Sequence, residues 1–279
     1  YFLEKKIVLK DLRNVDIKAY DVKFITAYNA ACGDESKGAF SYTHCSDCNL
    51  YGMTFATENP ANIAARIIAI DLENNTFDVE LCDGFSVKGD EIFHGLDTCD
   101  ENRSNNGDIF MADSNHRKYE WLDEKHLRFL IWHTNADCLR RIHIGELIAL
   151  RHTLYAPPPF NFYGCQRMLL EDITIETSPG CACVVYPRSA DFTFRRFNSR
   201  LPNASNQIYS CCADGIHIKG MTGKLIVEDC HFINMGDDAL NIHNPAGTIY
   251  SFENNILKAG GKPKKDDPSV PDGTLFEDW

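Results

Sequence analysis

The chain has no run of eighteen apolar residues, so no segment of its 279 residues is expected to cross a bilayer as a helix. Basic charge is scarce: 28 Lys and Arg stand against 40 Asp and Glu, giving a formal net charge of −12. Nucleic acid and anionic membranes are bound through basic patches that displace counterions, so neither is an expected partner. The same charge disfavours a polyanionic sugar and favours a neutral glycan. A starting Met is missing, and Tyr1-Phe2-Leu3-Glu4-Lys5-Lys6 is not a signal peptide, so the compartment is not read from these residues. The first repeat motif begins at Val15 with no capping element before it, and a chain lacking its natural N-terminus is expected.

Metal-like spacing is almost absent despite 12 cysteines. Cys45-x-x-Cys48 is the one close pair of that kind, and no second CxxC follows to complete four ligands, so no metal is expected there. Cys48, Cys183 and Cys230 fall on inward positions of the repeat described next, where a free thiol behaves as a small hydrophobe.

What the sequence does have is repetition. Ala213-Asp214-Gly215-Ile216-His217-Ile218 and Asp237-Asp238-Ala239-Leu240-Asn241-Ile242-His243 align with Asp214 over Asp238 at an offset of 24 residues, about one coil of a β-solenoid. Apolar residues recur at relative positions 1, 3, 6 and 8 in Val15-Ile17-Tyr20-Val22, Cys48-Leu50-Met53-Phe55, Met168-Leu170-Ile173-Ile175 and Leu225-Val227-Cys230-Phe232. Phe192-Phe194-Phe197 keeps three of the places and puts Ser199 in the fourth. Two steps of two around a step of three describe a strand, a one-residue corner and a second strand; a helical period does not produce them. Met168 to Phe192 is 24 residues and Phe192 to Leu225 is 33, so nine residues must leave the coil, best placed in the turn-rich run Leu201-Pro202-Asn203-Ala204-Ser205-Asn206.

A second strand follows the same offsets. Cys183-Val185, Ile216-Ile218 and Leu240-Ile242 form inward ladders, leaving Val184, His217 and Asn241, then Tyr186, Lys219 and His243, as outward ones. The expected fold is all-β, a right-handed parallel β-helix with an inserted β-subdomain, its handedness taken from the general preference of parallel crossovers. Residues 1–57 hold the first coils, 58–155 the insertion, 156–257 the coils with the aspartates, and 258–279 an irregular tail. Within the insertion, Ile67–Leu81 reads as a hairpin with an Asn-Asn turn, and Leu127–Trp132 and Leu147–Leu150 as further strands. Asp97–Gly107 reads as a solvated loop. After His243 only Ile249 and Ile256 hold ladder places, so the chain is expected to be a fragment.

Asp214, Asp237 and Asp238 are the candidate catalytic groups. Glycoside hydrolysis needs a protonated carboxyl for the departing oxygen and an ionised one to activate water, about 6.5–9.5 Å apart in inverting enzymes. Stacking Asp214 on Asp238 raises the pKa of one member by like-charge repulsion. Asp237 is displaced sideways, which suits it as the acid, with Asp214 and Asp238 holding the water. Strict alternation would turn Asp214 and Asp238 inward with the apolar residues, so corners are required at Asp214-Gly215 and Asp238-Ala239; Gly215 suits the first. His217, Asn241 and His243 share the face and are the candidate substrate-binding residues. Isolated turn aspartates usually cap corners, whereas three in register point to a site. A calcium site is the lesser alternative, because imidazoles and Asn241 suit sugar hydroxyls better than calcium.

The segment Ala213-Asp214-Gly215-x-His217, followed by Val227-Glu228-Asp229-Cys230-x-Phe232 and Asp237-Asp238-Ala239-x-Asn241-x-His243, resembles the β-helical α-1,3-galactosidases of glycoside hydrolase family 110. The resemblance extends over Ser178-Pro179-Gly180, Phe40–Phe55 and the insertion. It implies an inverting exo-enzyme that releases terminal α-linked galactose without metal or other cofactor, with Asp214, Asp237 and Asp238 as its catalytic aspartates. The partner it implies is a glycan bearing terminal α-galactose. Family chains are longer, and the coils that would wall one side of the sugar pocket are largely missing here, so weak or no activity is expected of this polypeptide. Polygalacturonases share a related trio, but their Gly-His-Gly and Arg-x-Lys do not follow Asp238, which puts a pectin hydrolase second. The rival from another class is a non-catalytic carbohydrate-binding solenoid, which requires carboxylates that diverge.

Overall fold

The computed structural model describes residues 1–26, 39–58, 61–83, 93–111, 118–131, 133–152, 156–202, 205, 207–243, 248–253 and 256–260. Residues 1–242 form one compact unit and 243–279 a second. No α-helix occurs among the described residues, and one 3-10 stretch covers His133–Arg140. The protein is all-β, and most of its pairing is parallel.

Six parallel strands, Ile7–Lys10, Phe40–Thr43, Phe160–Tyr163, Cys183–Val185, Ile216–Lys219 and Leu240–His243, lie side by side in their sequence order. A second parallel sheet has nine strands, and its registers carry the repeat: Met168 pairs with Phe192 and Phe192 with Leu225, the expected offsets. Ile175 pairs with Ser199 at an offset of 24, and Ser178 with Cys211 at 33. The nine extra residues therefore leave between Ser199 and Cys211, where composition put them; Asn203, Ala204 and Asn206 lie outside the described residues.

The one-residue corners have a backbone signature. Gly52, Asp172, Arg196 and Asp229 separate paired strand segments and take φ of 75°, 57°, 48° and 52°. A second left-handed row runs through Asn14, Asp47, Arg167, Asp191 and Gly223 at the start of the same sheet. Left-handed backbone turns the chain within one residue, and Asn, Asp and Gly tolerate it best. In the second row Asp191 also offers its carboxylate to the Lys224 amide at 2.8 Å.

Tyr20 departs from the expected ladder. The strand Arg13–Thr26 carries two more residues than its partner between Lys18 and Val22, so Val22 pairs with Met53 and Phe24 with Phe55. The inward places are thus Val15, Ile17, Val22 and Phe24, while Tyr20 is exposed and lies over Gly52, where an added Cβ would stand 2.2 Å from its ring. Elsewhere the inward ladders hold up to Phe192-Phe194-Phe197, while in the edge row Leu225 is half-buried and Val227 exposed. Phe40 stacks on Phe160 at 5.6 Å between centroids and Tyr42 on Phe162 at 4.9 Å, within one continuous core. Ile216 and Ile218 are 0% and 1% exposed, against 37% and 59% for Leu240 and Ile242, beyond which no described strand of the sheet lies.

Between the parallel strands a seven-stranded antiparallel sheet runs from Asn62 to Arg151 with its own core. Its hairpin Asn62–Asp71/Thr76–Leu81 turns as expected, with Asn75 left-handed and Asp71 Oδ1 accepting from the Glu73 and Asn74 amides at 3.0 Å. The expected solvated loop over Asp97–Gly107 is corrected at both ends: Gly95–Cys99 is a wholly buried strand paired with Leu147–Arg151, and Asn105–Met111 is a strand that pairs back on it. Its charge misled, because Asp97 is held by an arginine distant in sequence. Cysteines follow the core reading. Among the described residues all are free, and Cys45 and Cys48 are both buried, with thiols that donate to backbone carbonyls.

In the second unit Thr248–Glu253 pairs antiparallel with Ile256–Gly260. Ile249 and Ile256 therefore serve a hairpin instead of a parallel ladder, and the stretch expected to be irregular begins inside its second strand. Residues 261–279 lie outside the described residues.

Candidate active site

Two stacked turns build the site. The first, Cys212-Ala213-Asp214-Gly215, precedes the strand Ile216–Lys219; the second, Gly236-Asp237-Asp238-Ala239, precedes Leu240–His243. The Gly215 amide donates to the Asp238 carbonyl at 2.8 Å and the Ile216 amide to the Ala239 carbonyl at 3.1 Å, which locks the turns in register. Gly215 has no room for a side chain, since an added Cβ would lie 2.5 Å from the Ala239 carbonyl oxygen. The chain bends there, so Asp214 leaves the inward face of Ile216 and Ile218 and meets His217 on the outward one.

Asp214, Asp237 and Asp238 converge, each offering a carboxylate oxygen within 4.8 Å of the others. Asp214 is 1% exposed, while Asp237 and Asp238 are exposed. Its Oδ2 lies 2.8 Å from His217 Nδ1, and its Oδ1 accepts from the Asp238 amide at 3.3 Å. The Cys181 thiol donates to Oδ2 at 3.7 Å. Burial, and then the charge of Asp237, raise the Asp214 pKa to about 6. The group driven toward its protonated form is thus Asp214, whereas the sequence pattern had placed the acid at Asp237.

His217 lines a pocket of about 390 Å³ with Lys6, Asn161, Tyr163, Tyr186 and Lys219 among its walls. The Tyr163 and Tyr186 rings stack at 4.1 Å, and the Lys219 ammonium lies over Tyr186 at 5.4 Å from its centroid. Of the candidate site residues only His217 lines this pocket; Asp214, Asp237, Asp238, Asn241 and His243 do not. Asn241 is half-buried on the same strand sequence as the second turn, and His243, exposed, is the first residue of the second unit.

No family model matches the chain. A stretch of 115 residues, 41% of the chain, is 27% identical to alpha-1,3-galactosidase B of Akkermansia muciniphila. The relationship is galactosidase-like. The matched stretch spans 14% of that relative's length.

Three convergent carboxylates are also hard-cation donors, yet calcium takes six to eight oxygens. The neighbouring Cys181, Asp214 and His217 form a second donor set. Burial and the Asp214 charge push the Cys181 thiol up to about 12, so on its own it is a thiol at neutral pH.

Cys181 was legible beside the site, and two contributors, Arg151 and Asp97, escaped the sequence. Cys181 reaches Asp214 because the turn before Cys183–Val185 stacks on the aspartate turn, as its ladder place implied. Arg151 and Asp97, from the antiparallel sheet, have no local motif and come to the turns only through the fold.

Proposed function

We propose that the protein is a glycoside hydrolase built as a right-handed parallel β-helix, an exo-acting inverting α-galactosidase that releases terminal α-1,3-linked galactose from neutral glycans. The observation that carries this is the convergence of Asp214, Asp237 and Asp238 in two registered turns, with a proton retained on Asp214 up to about pH 6. Corner-capping aspartates need no such convergence. Parallel pairing at offsets of 24 and 33 supports a winding chain, and the pocket beside His217 falls in the size range of small-ligand sites.

In the proposed reaction Asp237, exposed and one residue aside from the stacked pair, protonates the departing glycosidic oxygen. Asp214, which stores the proton of the substrate-free cluster, passes it to Asp237 as the sugar enters, and Asp238 with the now ionised Asp214 holds the water and takes up its proton as the oxygen attacks the anomeric carbon. His217, Asn241 and His243 are assigned to sugar hydroxyls. The nearest-oxygen spacing, within 4.8 Å, is shorter than the roughly 6.5–9.5 Å between acid and base in inverting enzymes, so the inverting course rests on the family resemblance. The test is Asp237→Asn, expected to abolish galactose release with the fold intact; unchanged turnover would refute the assignment.

A second reading, a polygalacturonase-like pectin hydrolase, is favoured by one observation: Lys6, Lys219 and His217 line the pocket and would suit a carboxylated sugar. Release of galacturonate in place of galactose would promote it.

A further inference from the structure

Arg151 ends the antiparallel strand Leu147–Arg151 and is 4% exposed, between Asn62 on one neighbouring strand and Gly95 on the other. Its guanidinium is divided between two tasks. Nη2 donates to Asp97 Oδ1 at 2.7 Å, and Nε lies 2.7 Å from Oδ2 without the alignment of a hydrogen bond. Nη1 donates to the carbonyl oxygens of Cys212, at 2.8 Å, and Gly236, at 3.2 Å.

Those two carbonyls open the two aspartate turns: Cys212 stands two residues before Asp214, and Gly236 one before Asp237. We propose that Arg151, oriented by Asp97, is a positioning residue that ties the two turns together and so fixes the spacing of Asp214 against Asp237 and Asp238. The inference rests on the hydrolase reading for its catalytic meaning, though not for its geometry.

Four features support it. A planar guanidinium can address a carboxylate and two carbonyls at once, which an ammonium cannot do in the same geometry. Gly236 leaves the space: an added Cβ would lie 2.7 Å from the Cys212 carbonyl oxygen and 3.1 Å from Arg151 Nη1. Asp97 is fully buried, and Tyr209, over whose ring the guanidinium lies at 5.7 Å, closes the far side. Burying an ion pair is a poor source of stability compared with apolar packing, so its use here fits a role in specifying one arrangement. The charge facing the pair is that of Asp237, which acts on Asp97, while burial keeps the Cys99 thiol and the Tyr209 phenol around it neutral.

The experiment compares the parent chain with Arg151→Lys and with the double variant Asp97→Asn/Arg151→Met, which removes the buried charges together. Folding is followed by circular dichroism, and the Asp214 carboxyl is titrated by carbon-13 NMR of labelled aspartate, assigned with Asp214→Asn. Arg151→Lys is expected to fold, to lower the Asp214 midpoint by about half a unit as the turns part and hydrate, and to cut kcat for an α-galactoside about tenfold to a hundredfold with KM little changed. A folded Arg151→Lys with unmoved titration and unmoved kcat would overturn the proposal. So would failure of both variants to fold, which would make the pair merely structural. Should the parent release no sugar at all, the hydrolase reading falls, while the Asp214 titration still decides whether Arg151 positions the turns.

Discussion

At the scale of single residues, Asp214 is the most informative group. Its carboxyl is raised to about 6 from an ordinary 3.8, by burial first and by Asp237 second. The folded chain therefore holds this proton more tightly than the unfolded chain does. The group's contribution is most favourable below the unfolded value and is lost as pH rises through about 6. Asp214→Asn removes that penalty, so the variant is expected to melt at a higher temperature than the parent at about pH 7.5 and to show no such gain at about pH 3.5. Thermal melts at the two pH values check this; a variant less stable at both would contradict the shift. Gly215 makes the companion prediction. Gly215→Ala drives a Cβ toward the Ala239 carbonyl, a backbone atom, and must displace the turn that carries Asp214. Loss of galactose release with parallel sheets retained is expected, read by an activity assay beside circular dichroism.

At the scale of elements, the parallel strands are held by inward ladders whose members are mostly large. Phe194 is fully buried between Phe192, at 6.1 Å, and Phe197, at 5.5 Å. Phe194→Ala is expected to destabilise the fold by about 3–5 kcal/mol, measured by chemical denaturation. These ladders were legible in the sequence because inward positions repeat at a fixed interval and because a corner costs one residue. Two kinds of feature were not. The extra residues before Val22 insert a left-handed Asp21 and push Tyr20 outward, and nothing in its apolar character announces that. Asp97 reads as solvated because its neighbours in sequence are polar, whereas its partner Arg151 lies 54 residues away. Periodicity reports on repeated environments, and a buried ion pair made once leaves no period.

At the scale of the whole molecule, the net charge of −12 and the local charge at the pocket differ in sign, since Lys6 and Lys219 both line it. Net charge bears on solubility and nonspecific association, and the ligand is chosen by the groups that touch it. The aspartates were legible as a trio because their spacing equals one repeat; the unequal burial that singles out Asp214 was not, because it depends on Cys181 and His217 packing around it. The most direct test of the account is proton NMR of the sugar at its first appearance, with the chain incubated on an oligosaccharide ending in α-1,3-galactose. The β-anomer of galactose should appear first and mutarotate later; the α-anomer appearing first would contradict the account.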